Sequence, residues 1–365
     1  MASLKTYLKP RIGVNRIGET MHSQLTFFCE LDGPQLKKLF ESRFVYDDLK
    51  TLGASIALGI LDFSDERVEI VRKLNQLGIP VKAWLLLPKD EGYWFNMENH
   101  DQALQRYADF KTWTDENSLD WTGIGLDIEP DFNQMTDAYF GRLVAVKNAL
   151  KRYFSKDTLK KANLAYRQLA VWIKDDGYFL EAYHFPFIVD DRKAHSTVAQ
   201  RLGGLVDVPA DREVLMLYSS LFQPMGNRLL WSYAEEAQAI GVGSTGGGVI
   251  MEGATVPRPL NWDEFSTDLR LAWQSGKPVY VFSLEGCVEQ EFLPRLVTFD
   301  PSGEVQYPKT ALLKGARKGL SGLLWLLERP FVLLAGLTGI MGAIVAIRSG
   351  KKRSKVAKNQ PKRLQ

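Results

Sequence analysis

The chain has 365 residues, of which 45% are hydrophobic, 24% charged and 11% aromatic, the make-up of a folded globular protein. That excludes a disordered, collagenous or disulfide-stapled chain, and two cysteines with four histidines give no basis for a Cys-rich or His-rich metal module. The formal net charge of +3 is unevenly divided: the 18 residues from Arg348 to Gln365 hold eight Lys/Arg and no acid, so residues 1–347 carry −5 and lack the basic face that nucleic acid requires.

In chain order, the opening MASLKTYLKPRIGVNRIGET has no apolar core and does not read as a signal peptide. Between residues 24 and 300, short apolar runs alternate with helical patterns. The expected strands are Leu25–Glu30, Ser55–Leu61, Pro80–Leu87, Thr122–Glu129, Tyr178–Pro186, Glu213–Ser219, Gly247–Glu252 and Pro278–Leu284. The expected helices include Glu66–Leu77, Asp101–Glu116, Asp137–Phe154, Leu229–Ala239 and Trp262–Trp273. In the first of these, Val68, Ile70, Val71 and Leu74 form an apolar face of helical period, and Gly78, Gly241 and Gly276 stand where helices give way to strands.

Eight strands with interleaved helices predict an α/β fold, a (β/α)8 TIM barrel over residues 1–310. A doubly wound sheet is the alternative, but no G-x-G-x-x-G or P-loop opens a helix. GVGSTGGG at 241–248 precedes an expected strand, the wrong order for a phosphate cradle, and reads as a loop. No cofactor is expected.

Residues 311–329 read as a linker or an interfacial helix containing GLSGLLWLL at 319–327. PFVLLAGLTGIMGAIVAI at 330–347 is free of charge and, at about 1.5 Å per residue, covers roughly the hydrocarbon thickness of a bilayer. It is expected to form a transmembrane helix, followed by the basic tail at 348–365. The tail favours a cytoplasmic C-terminus, but Lys314, Arg317 and Lys318 weaken that asymmetry. With no signal peptide, the expectation is a single-pass membrane protein whose main domain faces the cytoplasm, with Cys29 and Cys287 as buried thiols.

In a barrel, chemistry belongs at the C-terminal ends of the strands. Glu30, Asp127, Glu129, Glu252 and Glu285 all fall at or just after expected strand ends. The densest feature is GIGLDIEPD at 123–131, in which a period of two puts Gly125, Asp127 and Glu129 on one face. Like charges this close raise one pKa and keep one carboxyl protonated near neutral pH, the condition for cleaving a glycosidic bond. An Asp-x-Glu pair that binds a divalent cation, with Glu252 as third ligand, is the competing chemistry. Trp94, Tyr183 and His184 near strand ends are candidate sugar contacts. Trp84 inside its strand suits packing better, and such a histidine is more often structural than a base.

WTGIGLDIE at 121–129 resembles the strand-4 signature D-G-x-D-x-D-x-E of family 18 glycoside hydrolases, the chitinase-like barrels. Asp127 and Glu129 match its last two acids, whereas Thr122 and Gly125 replace the first two aspartates. MLYS at 216–219 is similar to the family's M-x-Y-D, with Tyr218 kept and Ser219 in place of the aspartate. Phe282 stands where the family has a strand-8 tryptophan. The resemblance implies that Glu129 is the general acid, and that Asp127 and Tyr218 orient a substrate acetamido group that attacks the anomeric carbon. IEP at 128–130 is also similar to the N-E-P end of strand 4 in the large retaining-glycosidase clan, which implies Glu252 as nucleophile. Both resemblances imply a glycosidase acting on a glycan or glycoconjugate, which the charge-free run at 330–347 is expected to anchor to a membrane. A catalytically silent barrel that binds glycans or scaffolds a complex is the alternative from another class.

Overall fold

The computed structural model describes residues 25–249, 258–332 and Thr338. Its strands are β1 (Leu25–Cys29), β2 (Ser55–Ile60), β3 (Val81–Leu85), β4 (Gly123–Ile128), β5 (Leu180–His184), β6 (Arg212–Met216), β7 (Ala239–Gly243) and β8 (Val279–Phe282). Each pairs in parallel with its sequence neighbours, and β8 returns to β1 with Leu25 opposite Val279. The sheet is therefore a closed eight-stranded TIM barrel, not a doubly wound sheet.

Helices α1 (Gly33–Phe40) and α2 (Arg43–Leu52) follow β1, α3 (Asp65–Gln76) follows β2, and α4 (His100–Asn117) follows β3. After β4 come α5 (Phe132–Tyr139), α6 (Leu143–Tyr153) and α7 (Lys156–Asp175). Next are α8 (Phe187–Lys193) and α9 (Val198–Gly203), then α10 (Gly226–Tyr233) and α11 (Trp262–Gln274). α12 (Leu284–Glu289), α13 (Phe292–Val297) and α14 (Ala311–Glu328) follow β8.

Strand alternation sorts the core into two layers. Outward-facing Ile56, Leu58, Ile124, Leu126, Ile240 and Val281 pack beneath the helices. Inward-facing Phe28, Trp84, Tyr183, Val214, Met216 and Tyr280 fill the barrel. Below that aromatic layer lies a buried charge cluster that the sequence reading missed. Lys82 Nζ lies 2.8 Å from Glu181 Oε1 and donates to the Tyr280 hydroxyl at 2.6 Å. Arg212 and Tyr183 also donate to Glu181, at 3.4 and 3.3 Å. Glu181 is fully buried, so these donors replace the water it has lost.

The seventh strand corrects the sequence reading. β7 is AIGVG at 239–243, not the run 247–252, and Gly241 lies inside it rather than ending a helix. Glycine is uncommon in strands, which hid this one. The barrel interior needs it: a Cβ at Gly241 would lie 3.2 Å from the Tyr218 ring, and one at Gly243 only 2.2 Å from the Phe282 carbonyl oxygen. The helix expected over 229–239 is α10, ending at Tyr233, and the one expected over 137–154 is divided into α5 and α6, with Gly141 at φ 62° between them.

Residues 311–328 form a helix, and it is docked rather than loose. Arg317 pairs with Asp190 and Glu236, and at the other end Glu328 pairs with Lys156 and Arg201. Among the described residues, no helix is long and apolar enough to cross a membrane. The span expected over 330–347 falls mostly, and the basic tail entirely, outside the described residues. Cys29 and Cys287 are buried free thiols.

Candidate active site

The C-terminal mouth of the barrel holds a cavity of about 330 Å³, within the roughly 300–1,000 Å³ range of small-molecule sites. Its walls are mainly aromatic: Phe28, Trp84, Trp94, Tyr183, Tyr218 and Phe282, with Met135 and Tyr139 of α5 at the rim. Glu30, Asp127 and Glu129 supply its carboxyl groups.

The β4 exit sets the geometry. The loop after β3 returns as an extra bridge between Phe95 and Ile128: the Phe95 N–H donates to the Asp127 carbonyl at 2.9 Å, and the Glu129 N–H to the Phe95 carbonyl at 3.2 Å. This fixes the backbone on both sides of the carboxyl pair. Asp131 then caps α5 by accepting the Gln134 N–H at 3.1 Å. The sequence D-I-E-P-D thus ends a strand and starts a helix, and its first two acids are left facing the cavity.

Asp127 is buried, and its Oδ2 accepts the Trp84 indole N–H at 3.2 Å. Its Oδ1 has no N–H or hydroxyl partner. Glu129 is the acid that interacts with it, and a hydrogen bond between two carboxyl groups requires a proton shared by the pair. Burial, then the charges of Asp127 and Glu30, push the Glu129 pKa well above the usual carboxylate range. Burial also raises Asp127, to about 7, against the hydrogen bonds from Glu129 and Trp84 that favour its ionised form. Near neutral pH the pair therefore retains a proton, favoured on Glu129, whose value is raised further than that of Asp127.

A second group lies at the end of β1. Glu30 accepts a hydrogen bond from the Tyr93 hydroxyl at 2.5 Å, and its backbone N–H donates to Glu285 Oε1 at 3.3 Å. Burial raises Glu30 to about 8, opposed by the Tyr93 bond and reinforced by the charges of Glu285 and Asp127. Burial likewise brings Glu285 to about 7. It sits behind Gly247, where a Cβ would come within 2.5 Å of its Oε1, and it does not line the cavity.

Of the residues singled out in the sequence, the fold brings Glu129, Asp127, Tyr218, Glu30, Trp94 and Tyr183 to one cavity. His184 is not among them. It faces away from the barrel axis, its Nδ1 2.8 Å from Glu213 and its Nε2 3.1 Å from the Val206 carbonyl. Glu252 lies outside the described residues, and β7 ends nine positions before it, in Gly243 and Ser244. Trp84, read as packing, touches Asp127 directly. Its period-two offset from Lys82 places it inward, which was the available signal. Tyr93 carried no comparable pattern. Among the described residues, no cluster of three or more His, Cys, Asp or Glu side chains has the arrangement of a metal site.

Glycine at 125, where the family 18 signature has an aspartate, has a physical cause. A Cβ at Gly125 would lie 2.1 Å from the Tyr183 hydroxyl oxygen, so no aspartate fits there while Tyr183 fills the barrel. The space beneath Asp127 is aromatic, and its supporting donor is an indole rather than a second carboxyl.

No protein-family model and no curated protein matches the sequence. Among solved structures, the chain is similar to the PgaB (BpsB) glycoside hydrolase domain from Bordetella bronchiseptica, at 9% identity and TM-score 0.44 over 75% of this chain and 98% of that one. A family 1 β-glucosidase from Thermotoga maritima matches at 12% identity and TM-score 0.42, over 68% and 78%. A xylose isomerase-like TIM barrel protein from Mycobacterium smegmatis, in complex with magnesium, matches at 15% and 0.40, over 73% and 88%. At such values the likeness concerns barrel architecture, and the site is read from its own residues.

Proposed function

We propose that this chain is a glycoside hydrolase-type barrel in which Glu129 is the general acid. The observation that carries the reading is the Asp127–Glu129 pair: Asp127 Oδ1 is buried without an N–H or hydroxyl donor, so the pair is satisfied when Glu129 holds a proton. A carboxyl protonated near neutral pH, at the mouth of a barrel with aromatic walls, suits protonation of a glycosidic oxygen. The aromatic faces suit the C–H surfaces of a sugar ring.

The reading favours substrate assistance over a protein nucleophile, since β7 presents Gly243 and Ser244 at its end where the retaining clan needs a glutamate. Glu129 gives its proton to the leaving oxygen while the acetamido oxygen of an N-acetylated sugar forms a bond to the anomeric carbon. The glycosidic C–O bond breaks and leaves a cyclic oxazolinium. Ionised Asp127 accepts from the acetamido N–H, and Tyr218 donates to its oxygen. Glu129, now ionised, takes a proton from the water that opens the ring, so one water is consumed and the enzyme is restored. The charge-free run at 330–347 is proposed to anchor the barrel to a membrane, and the substrate class is a glycan or glycoconjugate.

The test is to incubate the full chain in detergent, and its Glu129→Gln variant, with N-acetylated and plain oligosaccharides and to read products by mass spectrometry. Cleavage of N-acetylated substrates by the parent, falling about 100-fold or more in the variant, is expected. No cleavage, with glycan binding that survives the substitution, would leave a silent binding barrel instead.

A further inference from the structure

Helix α6, LVAVKNALKRY at 143–153, has a surface that a water-facing barrel helix does not need. Leu143, Val146, Leu150 and the following Phe154 are 86%, 59%, 55% and 78% exposed. Their spacing of three and four puts them in one stripe. Lys147 and Lys151 border it, exposed and without an ion-pair partner among the described residues, and the helix contains no acid. Its other side is pinned to the barrel, where the buried guanidinium of Arg152 donates to the Leu202 carbonyl at 2.7 Å.

The end of α14 meets this helix. The Tyr153 hydroxyl donates to the Leu327 carbonyl at 2.6 Å, and Lys156 lies 2.5 Å from Glu328. Two residues beyond Glu328 the charge-free run 330–347 begins, and its first described residues, Phe331 and Val332, are exposed. The chain thus leaves α14 for an 18-residue apolar segment close to the C-terminal end of α6.

We propose that α6 is an interfacial helix that lies on an anionic phospholipid bilayer, the one that residues 330–347 are proposed to enter, and this rests on that part of the proposed function. Two exposed lysines beside an apolar stripe, on a body whose net charge is −5, match anionic headgroups over acyl chains. The tail at 348–365 has the same sign as α6, so the two repel each other and share that partner. Met135 and Tyr139 of α5 line the cavity, so the contact brings one side of its rim to the bilayer surface. None of this depends on catalysis, and loss of the hydrolase reading leaves it standing.

The test reconstitutes the full chain into vesicles of phosphatidylcholine with phosphatidylserine. A nitrobenzoxadiazole dye is attached through Val146→Cys, or through Lys38→Cys on α1 across the barrel; native Cys29 and Cys287 are buried from the label. The expected result is that bromine on the upper acyl chain quenches most of the emission at position 146 and none at 38, while aqueous iodide does the reverse. Phosphatidylcholine alone, or Lys147→Glu with Lys151→Glu, should weaken the bromine quenching. A dye at 146 that iodide reaches as freely as at 38 overturns the proposal. So does one shielded from both quenchers, which would mean that residues 330–347 or a second copy covers the stripe.

Discussion

Glu30→Gln tests the electrostatics of the cavity without any substrate. Glu30 has an unfolded value near 4.5 and a folded value of about 8, so over that interval the native state keeps a proton that the unfolded chain releases. Stability from this group is therefore present in full below pH 4.5 and falls as pH rises through 8. Between pH 5 and pH 8 the loss amounts to about 3.5 kcal/mol, an upper figure because neighbouring acids relax together. Glutamine has the same shape, still accepts the Tyr93 hydroxyl, and does not titrate. The variant should thus resemble the parent at pH 5 and exceed it in stability at pH 8 by about 2–3.5 kcal/mol. Urea unfolding of the full chain in detergent, followed by tryptophan fluorescence at both pH values, measures the difference. An offset between variant and parent that is the same at pH 5 and pH 8 would refute the raised pKa and the desolvation argument behind it.

Other substitutions probe the remaining supports. Trp84→Phe removes the donor to Asp127 Oδ2 and should raise the aspartate by about one pKa unit, which moves the acid limb of the kcat/KM profile for N-acetylated substrate upward by the same amount. An unmoved limb would mean that the indole does not hold the charge. Gly125→Ala drives a Cβ into the Tyr183 ring and should cost about 1–3 kcal/mol or more in urea unfolding. Lys82→Met removes the ammonium 2.8 Å from buried Glu181, which keeps Arg212, Tyr183 and Tyr280 as donors, and should cost about 1–3 kcal/mol in urea unfolding; adding Glu181→Leu should recover part of that loss, and strict additivity would refute the pairing.

The barrel was legible because most of its strands are ordinary. A run such as SIALGI is apolar on both faces, as a strand buried between helices and a filled interior must be. β7 was not legible, since interior volume rather than propensity selects its glycines: the Tyr218 ring occupies the space a side chain at 241 would need. The Asp127–Glu129 pair could be placed from strand period, whereas Tyr218 came from the likeness of MLYS to the family 18 M-x-Y-D. Glu285 could not. It lies three residues past the end of β8, inside α12, and whether an acid there meets the cavity or lies behind a glycine loop is a tertiary fact. Period did point His184 to the face opposite Tyr183, and that parity was the signal against it.

Under the proposed function, Thr122 and Gly125, where the family 18 signature has aspartates, bear on what the pair could do. In a carboxylate stack a proton can retreat from the catalytic pair to a deeper acid. Here the residue beneath Asp127 is an indole donor, and Tyr183 fills the position of the deeper carboxyl. An indole N–H stabilises the aspartate anion but accepts no proton. The proton is then confined to Glu129, Asp127 and the bound substrate. In the proposed reaction the indole bond favours the ionised form of Asp127, which suits holding an acetamido N–H. The site loses a place to store the proton as charge develops on Glu129. Two like charges then face each other in a buried site after the proton has left, so departure of the leaving group is opposed unless the oxazolinium supplies the balancing positive charge. On this argument the barrel should be selective for substrates that carry their own nucleophile, and sugars lacking the N-acetyl group should fail at the chemical step even when they bind.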